Sequence, residues 1–144
     1  MKSERGWHMI ELEGVGGQSR EQIGIVRRRL EHGLVLSVTG EIDLATAPTL
    51  ERELLRAERS HDLVVIDLSE TSFLDSTGLH AIVEANVRLR ERGGRLLIVQ
   101  GPAAVSRLFE LTGLSNHLNI VRDEAELERF VTGANRPRSS ARMV

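Results

Sequence analysis

The heptapeptide Phe73-Leu74-Asp75-Ser76-Thr77-Gly78-Leu79 joins two strongly patterned segments of the chain. Residues 63–68, just before it, are a continuous apolar run rich in β-branched side chains, which is typical of a central strand covered on both faces. After it, apolar residues recur at helical spacing, at Leu79, Ile82, Val83 and Val87. Ser76 is therefore predicted to lie exposed at the start of a helix, where the free backbone N–H groups of the first turn are expected to point toward any group attached to it.

A hairpin is predicted in the first part of the folded chain. Strands over residues 23–30 and 34–40, joined by Glu31-His32-Gly33, are typical of an antiparallel pair. Because successive strand residues point to opposite faces, Arg27-Arg28-Arg29 indicates a solvated edge strand rather than a nucleic-acid patch.

A helix is predicted between the hairpin and the buried run, with Thr46 as its N-cap and Pro48 in its first turn. One face of this helix carries its apolar residues, Ala47, Leu50, Leu54 and Ala57. Asp43 precedes it, in a loop between strand and helix of the kind where polar functional groups gather in alternating folds. As a turn residue, Asp43 is expected to cap nearby backbone N–H groups with its carboxylate.

Helices and strands alternate after the heptapeptide. The predicted elements are a helix over residues 77–92 followed by Gly93-Gly94, a strand over 95–99, a helix opened by Pro102 and closed by Gly113, a weak strand over 117–121, and a last helix capped by Asp123 and Glu126. This order predicts a single α/β domain, with a mixed β-sheet of about four to five strands packed with about four α-helices. The domain is expected to span residues 23–131, between a flexible N-terminal extension over 1–22 and a disordered C-terminal tail over 132–144.

The composition excludes several kinds of site. The 144 residues suffice for one domain, and a net charge of -2 gives no general attraction to nucleic acid or anionic lipid. The absence of cysteine excludes disulfides, thiolate metal sites and thiol catalysis. Lys2 is the only lysine, so neither the usual phosphate-binding loop nor the usual phospho-acceptor receiver site can be built. The five histidines show no metal-ligand spacing, and no metal site is expected.

The sequence does not indicate a membrane segment, a nucleotide-binding loop or a hydrolase elbow. No apolar run is long enough to span a bilayer and the first residues lack the apolar core of a secretory signal, so a cytoplasmic location is expected. Gly14-Val15-Gly16-Gly17 is interpreted as linker rather than a nucleotide loop, since no strand precedes it and no helical pattern follows. Ser76 lacks the glycine of a hydrolase elbow two residues earlier, because Leu74 stands there.

Four segments together resemble the bacterial anti-anti-sigma factors of the STAS domain family. They are Gly40-Glu41-Ile42-Asp43 with the following Ala47-Pro48 and Leu50, the strand leading into the heptapeptide, Gly93-Gly94 before a strand, and Arg107-Leu108-Phe109-Glu110-Leu111-Thr112-Gly113-Leu114. They occur in the family's order and at compatible spacing over residues 23–131, which makes the resemblance more specific than any single motif.

The resemblance implies a partner-switching regulator that is not an enzyme. In that family the unphosphorylated protein binds an anti-sigma factor and so frees a sigma factor. The anti-sigma factor is also an ATP-dependent serine kinase that phosphorylates the regulator, and a serine phosphatase restores it. Ser76 matches the acceptor serine, so ATP would belong to the partner and this chain would hold no cofactor. The implied partner-binding residues are Asp43, Asp75, Ser76, Thr77, Gly78 and His80.

Two alternatives stay open at this point. A STAS scaffold subunit, for example in a transport or signalling assembly, would use Ser76 only as a helix cap that is never modified. A small hydrolase would need a His–Asp pair brought to Ser76 by folding. One residue departs from the family pattern: His80 stands where a glycine or small residue is common.

Overall fold

A computed structural model describes residues 13–16 and 23–132 of the chain. Seven strands in this part of the chain form one sheet: β1 (Glu13–Gly16), β2 (Ile23–Leu30), β3 (Gly33–Ile42), β4 (Leu63–Asp67), β5 (Thr71–Leu74), β6 (Arg95–Val99) and β7 (Asn119–Val121). The helices are α1 (Ala47–Ser60), α2 (Ser76–Glu91), α3 (Ala103–Leu111) and α4 (Glu124–Thr132). A short 3-10 helix, Leu114–Asn116, follows α3.

Strand β3 joins the antiparallel and parallel parts of the sheet. The strand order is β1-β2-β3-β4-β6-β7; the first two pairings are antiparallel, and the remaining three are parallel. Residues 34–37 of β3 pair with β4, whereas Gly40, Glu41 and Ile42 pair with β5. Strand β5 therefore lies beyond the end of β4 on the same edge of β3. After β5 the chain lies at the carboxyl end of β3, and α2 begins there.

Apolar side chains fill both faces of the sheet. The larger core lies between one face and helices α1, α2 and α3, and it includes Leu36, Ile66 and Ile98 from the strands and Leu54 and Ile82 from the helices. The smaller core lies on the other face beneath α4, and it includes Val35, Val65, Val99 and Leu127. Strand β4 contributes to both cores, so the prediction of a central strand covered on both faces is confirmed.

The predicted α/β fold class is confirmed, with a mixed sheet and four helices in the described part of the chain. The sheet has more strands than predicted because β1 and β5 are only four residues long. Strands of that length show no alternation long enough to be recognised in a sequence.

The three consecutive arginines lie on β2 and point to both faces of the sheet. Arg27 Nη1 is 3.5 Å from Glu53 Oε1 on α1, and Arg28 Nη1 is 3.7 Å from Glu124 Oε2 on α4. Since α1 and α4 cover opposite faces, the predicted separation of these side chains is confirmed. The prediction of a solvated edge strand is wrong, because β1 pairs with the outer side of β2 and the Arg27 and Arg28 side chains are only 17% and 13% exposed.

Part of the predicted N-terminal extension, residues 1–22, belongs to the sheet. Strand β1 pairs antiparallel with β2, in a register that places Glu13 beside Arg27 and Gly16 beside Gly24. The flexible-linker interpretation is therefore wrong for these four residues. Two of them are glycines, which are depleted in strands, so composition alone favoured a linker. The rest of 1–22 and residues 133–144 of the predicted tail lie outside the described residues; Thr132 is the last residue of α4.

Helix α2 ends at the predicted glycine pair. Gly93 has a φ of +84°, Gly93 N donates to Arg90 O at 3.0 Å, and Gly94 N donates to Leu89 O at 2.7 Å. These two bonds form a Schellman motif, which satisfies two carbonyl groups at the end of the helix.

Candidate functional site

The candidate site lies where the carboxyl ends of β3 and β5 meet the first turn of α2. Asp75 N donates to Ile42 O at 3.1 Å, which fixes the start of α2 against the end of β3. Gly78, in the first turn of α2, faces the same place and is buried. A Cβ atom there would overlap Ile42 Cγ2 and lie 2.7 Å from Leu74 Cδ1. A residue without a side chain is therefore needed for the helix to approach the two strands so closely.

Asp75 is the N-cap of α2. Its Oδ1 accepts hydrogen bonds from Thr77 N at 2.9 Å, Gly78 N at 3.3 Å and the Thr77 hydroxyl at 2.5 Å. The bond from the Thr77 hydroxyl is the main reason that the pKa of Asp75 is lowered, and the backbone bonds contribute in the same direction. The sequence prediction of free N–H groups in this turn is wrong for Thr77 and Gly78, because Asp75 already occupies both.

Ser76 is the first residue of α2 and is exposed, as predicted. Asp75, not Ser76, supplies the side-chain cap of the helix. Within the described residues, the Ser76 hydroxyl makes no hydrogen bond, so it is available to an external protein.

Asp43 and Thr46 hold the loop between β3 and α1. Asp43 Oδ1 accepts from Ala45 N at 3.0 Å and Thr46 N at 3.1 Å, which is the turn-capping role predicted for it. Thr46 occupies the predicted N-cap position, but its side chain makes no capping bond. Instead, its hydroxyl accepts from Asp43 N at 2.9 Å and donates to Glu41 O at 2.8 Å. The prediction that the Thr46 side chain caps α1 is therefore wrong, since that side chain fastens the loop to β3.

Two exposed apolar side chains stand beside these polar residues. Leu44 in the β3–α1 loop is 74% exposed, and Phe73 on β5 is 47% exposed. Sequence reasoning did not select either of them. Their positions in the sequence could have indicated them, since Leu44 follows Asp43 and Phe73 lies two residues before Asp75. Exposed apolar residues next to a candidate site are typical of a protein-binding surface.

A groove of about 190 Å³ runs between the first turns of α1 and α2. It is lined by residues that include Leu44, Pro48, Glu51, Thr77, His80 and Glu84. His80 Nε2 lies 2.9 Å from Glu84 Oε2, one turn further along α2. Five of the predicted partner-binding residues, Asp43, Asp75, Ser76, Thr77 and His80, thus lie on the two neighbouring helix starts, and Gly78 lies buried beneath them.

Other features of the described residues lie elsewhere. A pocket of about 340 Å³ is lined by residues at the C-terminal end of α1 and on β2 and β3, including Arg27, Arg29, Arg56 and Arg59. Residues 13–16 and 23–132 contain no group of three or more histidine or acidic side chains placed to hold a metal ion. None of the helices in these ranges is sufficiently long and apolar to cross a bilayer.

Comparison with known proteins shows a shared domain and several similar proteins. The profile of the STAS domain matches residues 24–127. An anti-sigma-B factor antagonist of Listeria monocytogenes is 39% identical over 106 residues, which cover 73% of this chain and 92% of that protein. The anti-sigma-B factor antagonist of Bacillus subtilis is 32% identical over 99 residues, or 68% of this chain and 90% of that protein.

The fold has a counterpart of known structure. The crystal structure of an anti-sigma factor antagonist from Mycobacterium paratuberculosis superposes with a TM-score of 0.68 and 31% sequence identity. The match covers 77% of this chain and 92% of that chain. The shared fold therefore extends over most of the chain.

Proposed function

Because the chain belongs to the STAS domain family, we propose that it is an anti-sigma factor antagonist whose binding is switched by phosphorylation of Ser76. The unphosphorylated form binds an anti-sigma factor, and the phosphorylated form does not. The anti-sigma factor is the serine kinase and supplies the ATP site, and a serine phosphatase reverses the modification. The chain itself performs no catalysis and acts in the cytoplasm, where its transcriptional partners work.

The single observation that carries this proposal is the exposed Ser76 hydroxyl on a rigid platform. The platform is rigid because Asp75 caps α2 and Gly78 allows the helix to pack directly on Ile42 and Leu74. A partner that covers this surface would contact Ser76 together with the exposed Leu44 and Phe73. Asp43 and Gly78 support the surface from within, through the loop bonds of Asp43 and the burial of Gly78.

Electrostatics give a physical reason for the switch. A phosphate adds about -1.5 to -2 charges at neutral pH. It would join the negative charge of Asp75, whose pKa is held below its ordinary value chiefly by the Thr77 hydroxyl. At an effective dielectric constant near 20, two like unit charges about 6 Å apart repel by roughly 3 kcal/mol, or about a hundredfold in affinity. An acidic side chain of the partner at that distance would weaken the complex by about this factor.

The hydrolase alternative lacks an assembled catalytic group in the described residues. His80 lies one turn after Ser76 and bonds to Glu84, but no hydrogen bond joins His80 to the Ser76 hydroxyl. A nucleophilic serine needs a base within hydrogen-bonding distance. Labelling with a serine-reactive fluorophosphonate would identify a hydrolase directly.

Binding of two variants to the cognate anti-sigma factor tests the proposal. Ser76→Ala is expected to bind as tightly as the unphosphorylated wild type, and Ser76→Asp about tenfold to a hundredfold more weakly by isothermal titration calorimetry. Ser115→Asp is the matched control, since Ser115 is also exposed but lies in the short 3-10 helix after α3. Equal affinities of the two Ser76 variants would contradict the proposal.

Mass spectrometry of the wild type after incubation with the anti-sigma factor and ATP tests the modification itself. One phosphate on Ser76, absent from Ser76→Ala, is expected. An unmodified Ser76 in a protein that still binds its partner would favour the scaffold alternative instead.

A further inference from the structure

We propose that the His80 side chain, in its protonated form, holds the phosphate on Ser76, exchanging its present partner Glu84 for that phosphate. This inference rests on the proposed phosphorylation of Ser76. It assigns a role to the one residue of the site that departs from the family pattern.

The usual binding place for a phosphate at a helix start is already occupied. Free backbone N–H groups at a helix N-terminus are a ready-made anion site. In α2, however, Thr77 N and Gly78 N donate to the Asp75 carboxylate, and Leu79 N donates to Asp75 O at 3.0 Å. A phosphate on Ser76 would have to displace an ionised carboxylate to reach them. These N–H groups are therefore not free for the phosphate, and a cationic side chain nearby offers it an alternative partner.

His80 lies in the right position to be that partner. Ser76 and His80 are four residues apart on α2, and such residues are neighbours on one face of a helix, with Cβ atoms about 5–6 Å apart. Both side chains are exposed, and that of His80 is 71% exposed, so both can rotate without disturbing the core. Residues 13–16 and 23–132 contain no lysine. The next arginine along α2, Arg88, is bound to Glu58.

Acidic side chains near His80 would compete with the phosphate for it. Glu84 faces it from the same helix, and Glu51 of α1 lines the same groove. Asp75, the N-cap of α2, immediately precedes Ser76. A phosphate carries about twice the charge of Glu84 and offers three acceptor oxygens, so it is the stronger partner for a protonated imidazole. The exchange turns the phosphate along the helix toward the groove between α1 and α2.

Phosphorus NMR of the full-length protein tests this inference. Phosphoserine is encoded at position 76 during synthesis, and the second pKa of the phosphate is measured by pH titration. A nearby positive charge lowers this pKa, so the wild type is expected to titrate about 0.2–0.4 pH unit below His80→Ala. Glu84→Gln, which removes the competitor, is expected to titrate at or below the wild-type value. His32→Ala, which changes an exposed histidine in the β2–β3 turn, is the matched control and is expected to match the wild type.

Two results would overturn the inference. One is an identical phosphate pKa in the wild type and His80→Ala. The other is a large downfield shift of the Thr77 and Gly78 amide signals on phosphorylation, which would show that the phosphate has displaced Asp75 from the helix start. Encoded phosphoserine needs no kinase, so these outcomes are independent of the binding and kinase experiments that test the proposed function.

Discussion

Asp75 has two roles at the scale of single residues. As the N-cap it satisfies two N–H groups of α2, and as an ionised carboxylate it sets the charge beside Ser76. The first role concerns folding and the second concerns recognition. Substitutions can separate them, because asparagine retains the capping oxygen and lacks the charge.

Loss of the cap is expected to destabilise the domain. Asp75→Ala should lower the free energy of unfolding by about 1 kcal/mol, because Thr77 N and Gly78 N lose their acceptor. Asp75→Asn should lose less, since asparagine is among the preferred N-caps. Urea denaturation at neutral pH measures both values. Equal losses for the two variants would show that the charge, not the cap, stabilises the helix.

The same carboxylate predicts a pH dependence. The pKa of Asp75 is lowered in the folded state, chiefly by the Thr77 hydroxyl, so the unfolded chain binds the proton more readily. The stabilisation is therefore present above the unfolded pKa of about 3.9 and is lost as the pH falls through the lowered folded value. The difference in unfolding free energy between the wild type and Asp75→Asn should shrink between neutral pH and about pH 3. A difference that stays constant over this range would contradict the assignment.

Gly78 predicts a steric effect at the same site. Gly78→Ala should lower the free energy of unfolding by about 1–3 kcal/mol, because its Cβ would overlap Ile42 and approach Leu74. Alanine has the higher helix propensity, so an effect of helix propensity alone would have the opposite sign. Ala85→Gly, at a buried position later in α2, is the comparison for the effect of helix propensity. Stabilisation by Gly78→Ala would contradict the close packing of α2 on the strands.

At the scale of elements, those marked by a long apolar run or a glycine pair could be predicted from the sequence, whereas short or context-dependent ones could not. The run over residues 63–68 predicted β4, and the glycine pair after α2 predicted its end. Strand β5 could not be predicted because its four residues form a strand only where β3 extends past β4. The occupied N–H groups of α2 could not be predicted either, since the orientation of Asp75 depends on its bond to Thr77. Exposure of Leu44 and Phe73 is likewise a result of tertiary packing, which local sequence does not encode.

Helices α1 and α2, which border the groove, are joined by an ion pair. Arg88 Nε and Nη2 donate to the two carboxylate oxygens of Glu58 at 2.8 and 2.7 Å, and the Glu58 side chain is only 4% exposed. Arg92 Nη2 also donates to Glu58 O, at 2.5 Å. This pair joins the C-terminal half of α1 to the C-terminal half of α2.

Removal of one partner of this pair should be costly. Arg88→Met is expected to lower the free energy of unfolding by about 3 kcal/mol, because it leaves the Glu58 carboxylate buried without its partner. The double variant Glu58→Leu/Arg88→Met should recover most of this loss, since it leaves no buried charge. Arg90→Met, an exposed position on the same helix, is the control. A double variant as unstable as Arg88→Met would show that the ion pair itself, not the orphaned charge, sets the stability.

At the scale of the whole molecule, Ser76, the proposed site of the switch, lies outside both hydrophobic cores. The site occupies one end of the sheet, where β3 and β5 finish, and the buried strands β4 and β6 follow β3 in the strand order. Ser76 is exposed, and neither core includes it. A charge added there should therefore change the surface presented to a partner and leave the packing of the domain unaltered.

Comparison of Ser76→Asp with the wild type tests this separation. The free energy of unfolding should change by less than about 1 kcal/mol, because an acid at a helix start is favourable and repulsion from Asp75 opposes it. Amide chemical shifts should change only near the site, in the β3–α1 loop, β5 and the first two turns of α2. Gly78→Ala, which disturbs the contact with Ile42, should spread its shift changes along β3 into the core. Changes in β6 or β7 on introduction of the Ser76 charge would mean that the switch acts by remodelling the fold, and the proposed surface mechanism would then be wrong.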